Sequence, residues 1–535
     1  MSANADTLNA AHSGDVSKHP KGLYVLFATE MWERFSFYSM LSLFVLYLRD
    51  PVSGFGWTAA EATGLYANYL MFVYASPLIG GFIADKFTGY RKAVMIGGFF
   101  FMAGHGLLSI QSIWAVYAAL TCLVIGNGFF KPNVSTMVGN LYPEGSHLKD
   151  RAYNIFYFGI NVGAFIAPII MEVVKQNFGV HYAFAVAAFG MVISVSILWY
   201  FRSLVEGADS KASEVSGSAE ADKSSAASAL MNTVSDNKRI LALVVIFLIV
   251  IVFWMVFHQN GSTLTYWADD NTDWNVTGTI SNSINAFWVL TLTFPLVWFW
   301  GFLDRRGKEP STPTKMAIGM TLTGLSFLVL YFGATIGESM TKSPAQLSAG
   351  DYRINERVVS NLAASGVSKD VLDKIQNAKG ADEKLTVYGV KFASKTDEAT
   401  KVTTTGEQQI VAAVNAASPG AGDANKEAIL QNAYLFRVSP FWLILAYAIV
   451  TLGELMLSPM GLSLVSKVAP ISKRGLLMGG WFVATAIGNK LTMIGIYWDI
   501  WLQSSFFLIL ALMALFMAVV LFAILKPLKK AMPGV

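Results

Sequence analysis

Three ionisable residues, Glu30, Glu33 and Arg34, fall within about one helical turn inside an otherwise apolar stretch. On a helix, Glu30 and Arg34 (i, i+4) share a face and Glu33 lies beside it. Two carboxylates against one guanidinium leave a surplus negative charge, which needs a proton or a second cation. One of these acids is therefore a candidate to load and release a proton; the alternative is a static ion-pair cluster that only fixes the helix. The candidate second cation is Lys131, in Gly126-Asn127-Gly128-Phe129-Phe130-Lys131-Pro132-Asn133. Apolar residues continue past it for several positions, which argues against a lysine that merely snorkels to water. Its glycines allow close helix approach, and Pro132 removes a backbone donor and frees carbonyls. Glu454 stands alone in Gly453-Glu454-Leu455-Met456-Leu457-Ser458-Pro459. It must be protonated, paired across the bundle, or matched to a cationic ligand; a permanently neutral, hydrogen-bonded acid is the structural alternative.

Polar and aromatic residues accompany these charges. Tyr38, Tyr74, Tyr157 and Asn161 fall in the first half of the chain, and His258, Gln259, Asn285 and Trp481 in the second. Tyrosines in such positions serve packing more often than binding. The asparagines are better site candidates, because an unsatisfied amide in hydrocarbon is costly, although Asn161 also suits a bridge between helices. His258 titrates in a useful range, but a lone histidine near the end of an apolar run is more often structural.

The elements that position these residues are apolar runs of spanning length. The chain has 535 residues, 54% hydrophobic and 14% charged, against about 25% charge in soluble proteins. A span needs roughly 20 apolar residues to cross ~30 Å of hydrocarbon, and twelve runs qualify: about 22–47, 65–84, 93–110, 114–138, 154–174 and 182–200, then 240–266, 280–303, 316–336, 441–465, 477–498 and 506–525. Only Gln111 and Ser112 mark the division between the third and fourth. The first run, from about Gly22, is too long for a secretory signal core. The single cysteine, Cys122, permits no intrachain disulfide. The net charge of +4 is small, and the basic residues are scattered in short clusters between apolar runs, which argues against nucleic acid as a partner.

Basic residues gather in alternate short loops: Lys86, Arg91 and Lys92; Lys149 and Arg151; Arg202 and Lys238; Arg305, Arg306 and Lys308; Lys467, Lys473 and Arg474; Lys526, Lys529 and Lys530. The positive-inside rule then puts both termini in the cytoplasm. One outer loop carries Asp269, Asp270 and Asp273 instead. The expected organisation is a cytoplasmic tail (1–21), a six-helix bundle (22–201), a Ser/Ala-rich cytoplasmic linker (202–237) and a second bundle in two parts (238–337 and 438–526). An extracytoplasmic insertion (338–437) interrupts the second bundle, and a cytoplasmic tail (527–535) ends the chain. The insertion is too long for an ordinary connection. It reads as a small domain or a partly disordered segment, with 356–362 and 369–377 as helices and 385–392 as a strand.

A weak internal repeat links the halves. Gly81-Phe82-Ile83-Ala84-Asp85-Lys86-Phe87-Thr88-Gly89-Tyr90-Arg91-Lys92 follows the second span, and Gly301-Phe302-Leu303-Asp304-Arg305-Arg306-Gly307-Lys308 follows the eighth. Such symmetry marks secondary transporters, whose site lies near the bilayer midplane between the halves. The first loop resembles the signature of the major facilitator superfamily. Within it, Glu30-Met31-Trp32-Glu33-Arg34-Phe35 followed by Tyr38, the stretch Gly126 to Asn133, Phe156-Tyr157-Phe158-Gly159-Ile160-Asn161-Val162-Gly163, and Gly453 to Pro459 resemble the motifs of the proton-dependent oligopeptide transporter family.

The resemblance implies an all-α membrane protein with the major facilitator fold. It implies proton-driven import of di- and tripeptides, no enzymatic activity, no cofactor, and a functional monomer in the bacterial inner membrane. It places proton coupling and gating on Glu30, Glu33, Arg34, Lys131 and Glu454. It places peptide contacts on Tyr38, Tyr74, Lys131, Tyr157, Asn161, Gln259, Asn285, Glu454, Ser458 and Trp481. Three departures stand out. Leu41 occupies the turn where many members carry a second arginine, the linker is too polar for the two extra helices of many bacterial members, and Gln259 replaces a seventh-span acid found in several. Transport of another small anion or metabolite, or drug export, is the competing expectation on the same fold. Glu454 favours a substrate with an amino group. No nucleophile elbow, paired metal-ligand motif or phosphate loop supports an enzyme. A sensor using the insertion as a receptor is a further rival.

Overall fold

A computed structural model describes residues 18–142, 148–209, 231, 233–274, 276–397, 400–470 and 473–533. The expected tail residues 1–17 and linker residues 210–230 lie outside these. Twelve long helices carry the fold. The first six are α1 (Lys21–Arg49), α2 (Ala59–Ile83), α3 (Tyr90–Leu108), α4 (Ile113–Asn140), α5 (Leu148–Phe178) and α6 (Val180–Tyr200). The second six are α7 (Asp236–Phe257), α8 (Gly278–Asp304), α9 (Thr312–Ser339), α10 (Phe441–Val468), α11 (Arg474–Leu491) and α12 (Gln503–Ala531).

Local chemistry sets the ends. Pro51 disfavours the helical conformation at Asp50, and α1 stops there with Asp50 extended. Thr58 and Glu61 form a reciprocal capping box that starts α2. The doubtful third-to-fourth boundary falls at 109–112. The two signature-like loops both turn on a left-handed glycine, Gly89 (φ 76°) and Gly307 (φ 64°), a conformation only glycine adopts readily. Each loop thus needs a glycine with a positive φ, although the first is reached through a π-helical turn, Ala84–Thr88, and the second is not.

Two expected continuous spans are broken. α7 ends at Phe257, passes through a 3-10 turn (His258–Gly261) and resumes as a short helix (Thr263–Asp270). At that break the Tyr66 hydroxyl occupies the place where a Cβ on Gly261 would sit. α11 likewise ends at Leu491 and continues as a 3-10 stretch, Thr492–Asp499.

Among the described residues, nine of the twelve long helices are apolar enough to cross a membrane on length and composition alone. The other three are α1, α3 and α11. They hold Glu30, Glu33 and Arg34; Arg91, Lys92 and His105; and Lys490. Outward faces are apolar: Leu512, Phe516 and Val519 of α12 are 55%, 66% and 65% exposed at helical spacing, as a bilayer-facing stripe requires. α1 packs on α5 and α6, α3 on α4 and α6, and α9 on α10 and α12, while α2–α11 and α5–α8 join the two halves.

The segment between α9 and α10 has its own apolar core, including Tyr352, Val358, Leu362, Ile375, Ile410 and Val414. Its helices Glu356–Ala364 and Lys369–Asn377 match expectation. The expected strand 385–392 shortens to Lys391–Phe392, paired antiparallel with Tyr352–Arg353. Leu385 and Tyr388 make only isolated bridges, and Gly389 takes a left-handed φ of 77° that interrupts any longer strand.

Close crossings depend on missing side chains. A Cβ on Gly80 of α2 would collide with the Gly128 carbonyl of α4, and one on Gly128 would lie 2.9 Å from the Ser76 carbonyl. Gly64, on the same helix as Gly80, faces open space. Gly80→Ala is therefore expected to destabilise the protein by about 1–3 kcal/mol. Gly64→Ala is expected to be neutral or to stabilise it by about 0.4–1 kcal/mol. Thermal unfolding of the two variants in one detergent compares them directly.

Candidate functional site: a charged core between two helical halves

The cluster on α1 is dry. Glu30, Glu33 and Arg34 are 1%, 0% and 3% exposed. Arg34 holds Glu33 in a two-point grip: Nε donates to Oε2 and Nη2 donates to Oε1 at 2.6 Å. Glu30 receives less, with Oε1 3.1 Å from the same Nε. Its Oε2 is buried with no hydrogen-bond partner among the described residues. The surplus negative charge read from the sequence is thus concentrated on Glu30. α1 can lie deep in the bundle here because Gly163 of α5 is small: a Cβ there would sit 2.9 Å from the Phe35 nitrogen and 3.2 Å from the Arg34 Cβ.

Lys131, the expected second cation, does not close onto these acids. Among the described residues it makes no ion pair within 4.0 Å. Its ammonium lies over the Tyr74 ring, 4.9 Å from the centroid, and its charge reaches Glu30 and Glu33 at longer range. Tyr74 in turn packs edge-on to His258 (5.5 Å) and lies 6.5 Å from Trp254 of α7. Lys131 therefore faces the opposite half across an aromatic wall.

Glu454 belongs to the opposite half. Its Oε2 accepts from Asn285 Nδ2 at 3.0 Å, and the same nitrogen reaches Thr451 Oγ1 at 2.9 Å. No described cation lies within ion-pairing distance of it. Its charge reaches Tyr38, Tyr74 and Tyr157. Tyr38 also feels Arg34, Glu33 and Glu30, so it stands between the two acidic centres. Asn161 donates to the Tyr157 carbonyl at 2.9 Å, one turn back. Tyr38, Tyr74, Lys131, Tyr157, Asn285, Glu454 and Ser458 are all half-buried, as side chains lining an interior space are.

Two expected contacts stand apart. Gln259 is fully buried: its amide donates to the Met255 and Thr492 carbonyls (3.2 and 3.1 Å), and its oxygen accepts from Thr263 at 2.8 Å. It stitches the broken α7 to the end of α11 and has no donor left for a ligand. Trp481 is 4% exposed, packed edge-on to Phe247 at 6.1 Å. It fills the place a side chain on Gly461 would take. His258 stacks on Trp254 at 5.2 Å, with Nε2 unpartnered among the described residues.

Sequence reading missed the closure at the end of the bundle that carries the insertion. Arg49 ends α1 over the Tyr266 ring at 4.3 Å, 4.0 Å from Asp270. Asp270 also meets two cations of the insertion, Arg353 at 2.9 Å and Lys391 at 3.2 Å. Burial alone would lower the Lys391 ammonium, but Asp269 and Asp270 outweigh it and hold it above the usual lysine range. Thr63 meets the Tyr266 hydroxyl at 3.2 Å, Lys175 reaches Thr279 at 3.2 Å, and Lys490 binds Asn68. Lys490 was detectable as a lone cation inside an apolar run. Cross-half polar bonds between described residues gather at this end and in the middle. The insertion itself is anchored to the second half, by Asn355 on Asp499 (3.2 Å) and Arg357 on the Trp501 carbonyl (2.8 Å).

Asp270→Asn should loosen this closure, since breaking a buried pair costs about 3–5 kcal/mol. The expected readout is at least about tenfold faster labelling of a Thr63→Cys reporter by a membrane-impermeant thiol reagent. Unchanged labelling would show that the network does not hold this end shut.

Comparisons with known proteins follow the same outline. The chain is 27% identical to a di-/tripeptide transporter of Lactococcus lactis subsp. cremoris, over 96% of this chain and 97% of that one. It is 26% identical to the uncharacterized transporter YclF of Bacillus subtilis, over 97% and 96%. Among solved structures, it shares the fold of a peptide transporter crystallised with sulfate (TM-score 0.71, 24% identity, 99% and 100% coverage). It also shares that of a family transporter crystallised with a thioalcohol-conjugated peptide (TM-score 0.68, 21% identity, 96% and 97%). The sequence profile of the POT family matches residues 91–220, 203–375 and 408–496. With more than half its length matched, the chain belongs to the POT family of membrane transporters.

Proposed function

We propose that this protein is a proton-coupled symporter that imports di- and tripeptides by alternating access. The observation that carries the reading is the placement of opposed, incompletely satisfied charges on two helical halves. Among the described residues Lys131 has an aromatic face and no acid within ion-pairing distance, and Glu454 has an amide and no cation. A short peptide is a zwitterion with variable side chains, so its fixed features are its two charged ends. Lys131, with Arg34 behind it, suits the carboxylate, and Glu454 suits the ammonium. Tyr38, Tyr74, Tyr157 and Asn285 offer aromatic walls and hydrogen bonds that tolerate varied side chains. The curated relatives named as di-/tripeptide transporters support the same substrate class. Gln259 and Trp481 enter as supports of the walls, and Asn161 and Ser458 as polar lining.

Glu30 carries the coupling proton in this reading, because Glu33 is committed to Arg34 while one oxygen of Glu30 has no partner among the described residues. Protonating Glu30 leaves one carboxylate against one guanidinium and removes its pull on Lys131, so the halves can rock about the bound peptide. A proton crossing 100 mV gains ~2.3 kcal/mol, adequate for more than tenfold accumulation. The linker end faces the cytoplasm, as its basic loops require, and the insertion end faces outward. The working units are the bundles 22–201 and 238–526, interrupted by the outer segment 338–437, in one self-sufficient chain of the inner membrane.

Uptake of labelled dialanine into proteoliposomes tests this. The wild type should accumulate it only with an inward proton gradient. Glu30→Gln should lose that accumulation yet keep gradient-free exchange, and Glu454→Gln should lose both. Accumulation by Glu30→Gln at the wild-type level would remove the proton from that residue. Absence of any dialanine flux in vesicles holding folded protein would remove the peptide assignment and favour a small anion.

A further inference from the structure

α3 and α6 cross tightly where Gly98 meets Val195: a Cβ on the glycine would strike the valine side chain. Toward the linker end the two helices leave a cavity of about 360 Å³, open to the outside of the bundle. Its walls are Ile96, Phe99 and Leu198, and its mouth carries Arg91, Lys92 and Arg202. The Arg91 charge is met by Asp209 at 3.6 Å. Lys92 and Arg202 are exposed and have no acidic partner among the described residues. The Arg202 guanidinium rests on Trp199, 5.3 Å from the ring, and Trp199 is itself 59% exposed. From Arg91 to Phe99 the groove runs about 12 Å along α3.

This arrangement is amphipathic in one direction. Cations and a tryptophan sit at the level of the membrane–water boundary, and an apolar channel descends from them into the hydrocarbon. Water gains nothing from the apolar part, and a soluble anion gains nothing from the channel. A molecule that fits both has an anionic head and a hydrocarbon tail. We propose that this groove is a binding site for one anionic phospholipid, its phosphate between Lys92 and Arg202 and the upper part of one acyl chain along Ile96 and Phe99. Basic pockets between helices on the cytoplasmic side are suited to acidic headgroups. The site is separate from the transport pathway and does not rest on the substrate assigned above.

Native mass spectrometry of the purified full chain, given equal phosphatidylglycerol and phosphatidylcholine of matched chains, reads the proposal. The wild type is expected to retain phosphatidylglycerol over phosphatidylcholine by about tenfold, since each nearby basic residue contributes appreciably. Lys92→Gln/Arg202→Gln should bring the ratio near parity at an unchanged melting temperature. Each single change should lower it about threefold, which covers the case of a double variant that fails to fold. Arg305→Gln/Arg306→Gln removes the same charge from the matching loop of the other half and should leave the ratio intact. Three results would overturn the site: no headgroup preference in the wild type, equal loss in the Arg305/Arg306 control, or displacement of the lipid by glycerol phosphate, which would mark a plain anion site.

Discussion

The arrangement turns on one guanidinium facing two carboxylates in a place closed off from the solvent surface. Arg34 satisfies Glu33 at two points and Glu30 at one, so α1 carries an excess of negative charge in the core of the first half. A lone charge at that depth costs about 2.5–3.5 kcal/mol even on the lenient insertion scales. Packing explains how the cluster is kept: Gly163 lets α5 press against α1 beside Arg34, and Phe37 lies under the guanidinium at 4.8 Å. The cluster is tightly packed, buried and one positive charge short.

That shortage gives the rest of the bundle its polarity. Lys131 supplies a cation near enough to be felt but not to pair, and Glu454 repeats the shortage in the other half, with Asn285 and Thr451 as neutral supports. In the proposed reading, a zwitterion bridging the halves and a proton on α1 would each relieve the imbalance. The closure at the insertion end is built in a contrasting way. There Asp270 is surrounded by Arg49, Arg353 and Lys391, so no carboxylate is left short of a cation and the contact is stable until the halves part. Two of those three cations come from the insertion, which is anchored to the second half and so should travel with it.

The twelve-helix plan, the paired signature loops and the acidic cluster were legible in the sequence because each rests on local spacing: apolar runs of membrane length, a repeated glycine turn, and acids four residues and one residue before Arg34. The breaks in α7 and α11 were not. There the second helix brings Tyr66 against Gly261 and Thr63 against Gly495, where a Cβ would clash, and no local pattern carries that. Gln259 illustrates the limit: its position along the chain suggested a ligand contact, while tertiary geometry commits its amide to Met255, Thr492 and Thr263. The network at the insertion end was half-legible. Asp269 and Asp270 stood out as an acidic loop, but their partners Arg353 and Lys391 lie more than eighty residues away, in a segment whose fold follows from its own small core. Lys490 was legible on composition and was passed over.

In the reading proposed above, the Glu30 carboxyl, which Arg34 holds at one oxygen and not at the other, is the group whose protonation changes the charge of the core. Infrared difference spectroscopy across a pH step, on protein in lipid, reads that group directly as a buried carboxylic-acid C=O band exchanging for carboxylate bands. The account predicts that this band is present in the wild type and in Glu33→Asp, and that Glu30→Gln removes its dominant component. An unaltered band in Glu30→Gln would contradict the account, because the proton would then reside elsewhere and the surplus charge on α1 would be structural only.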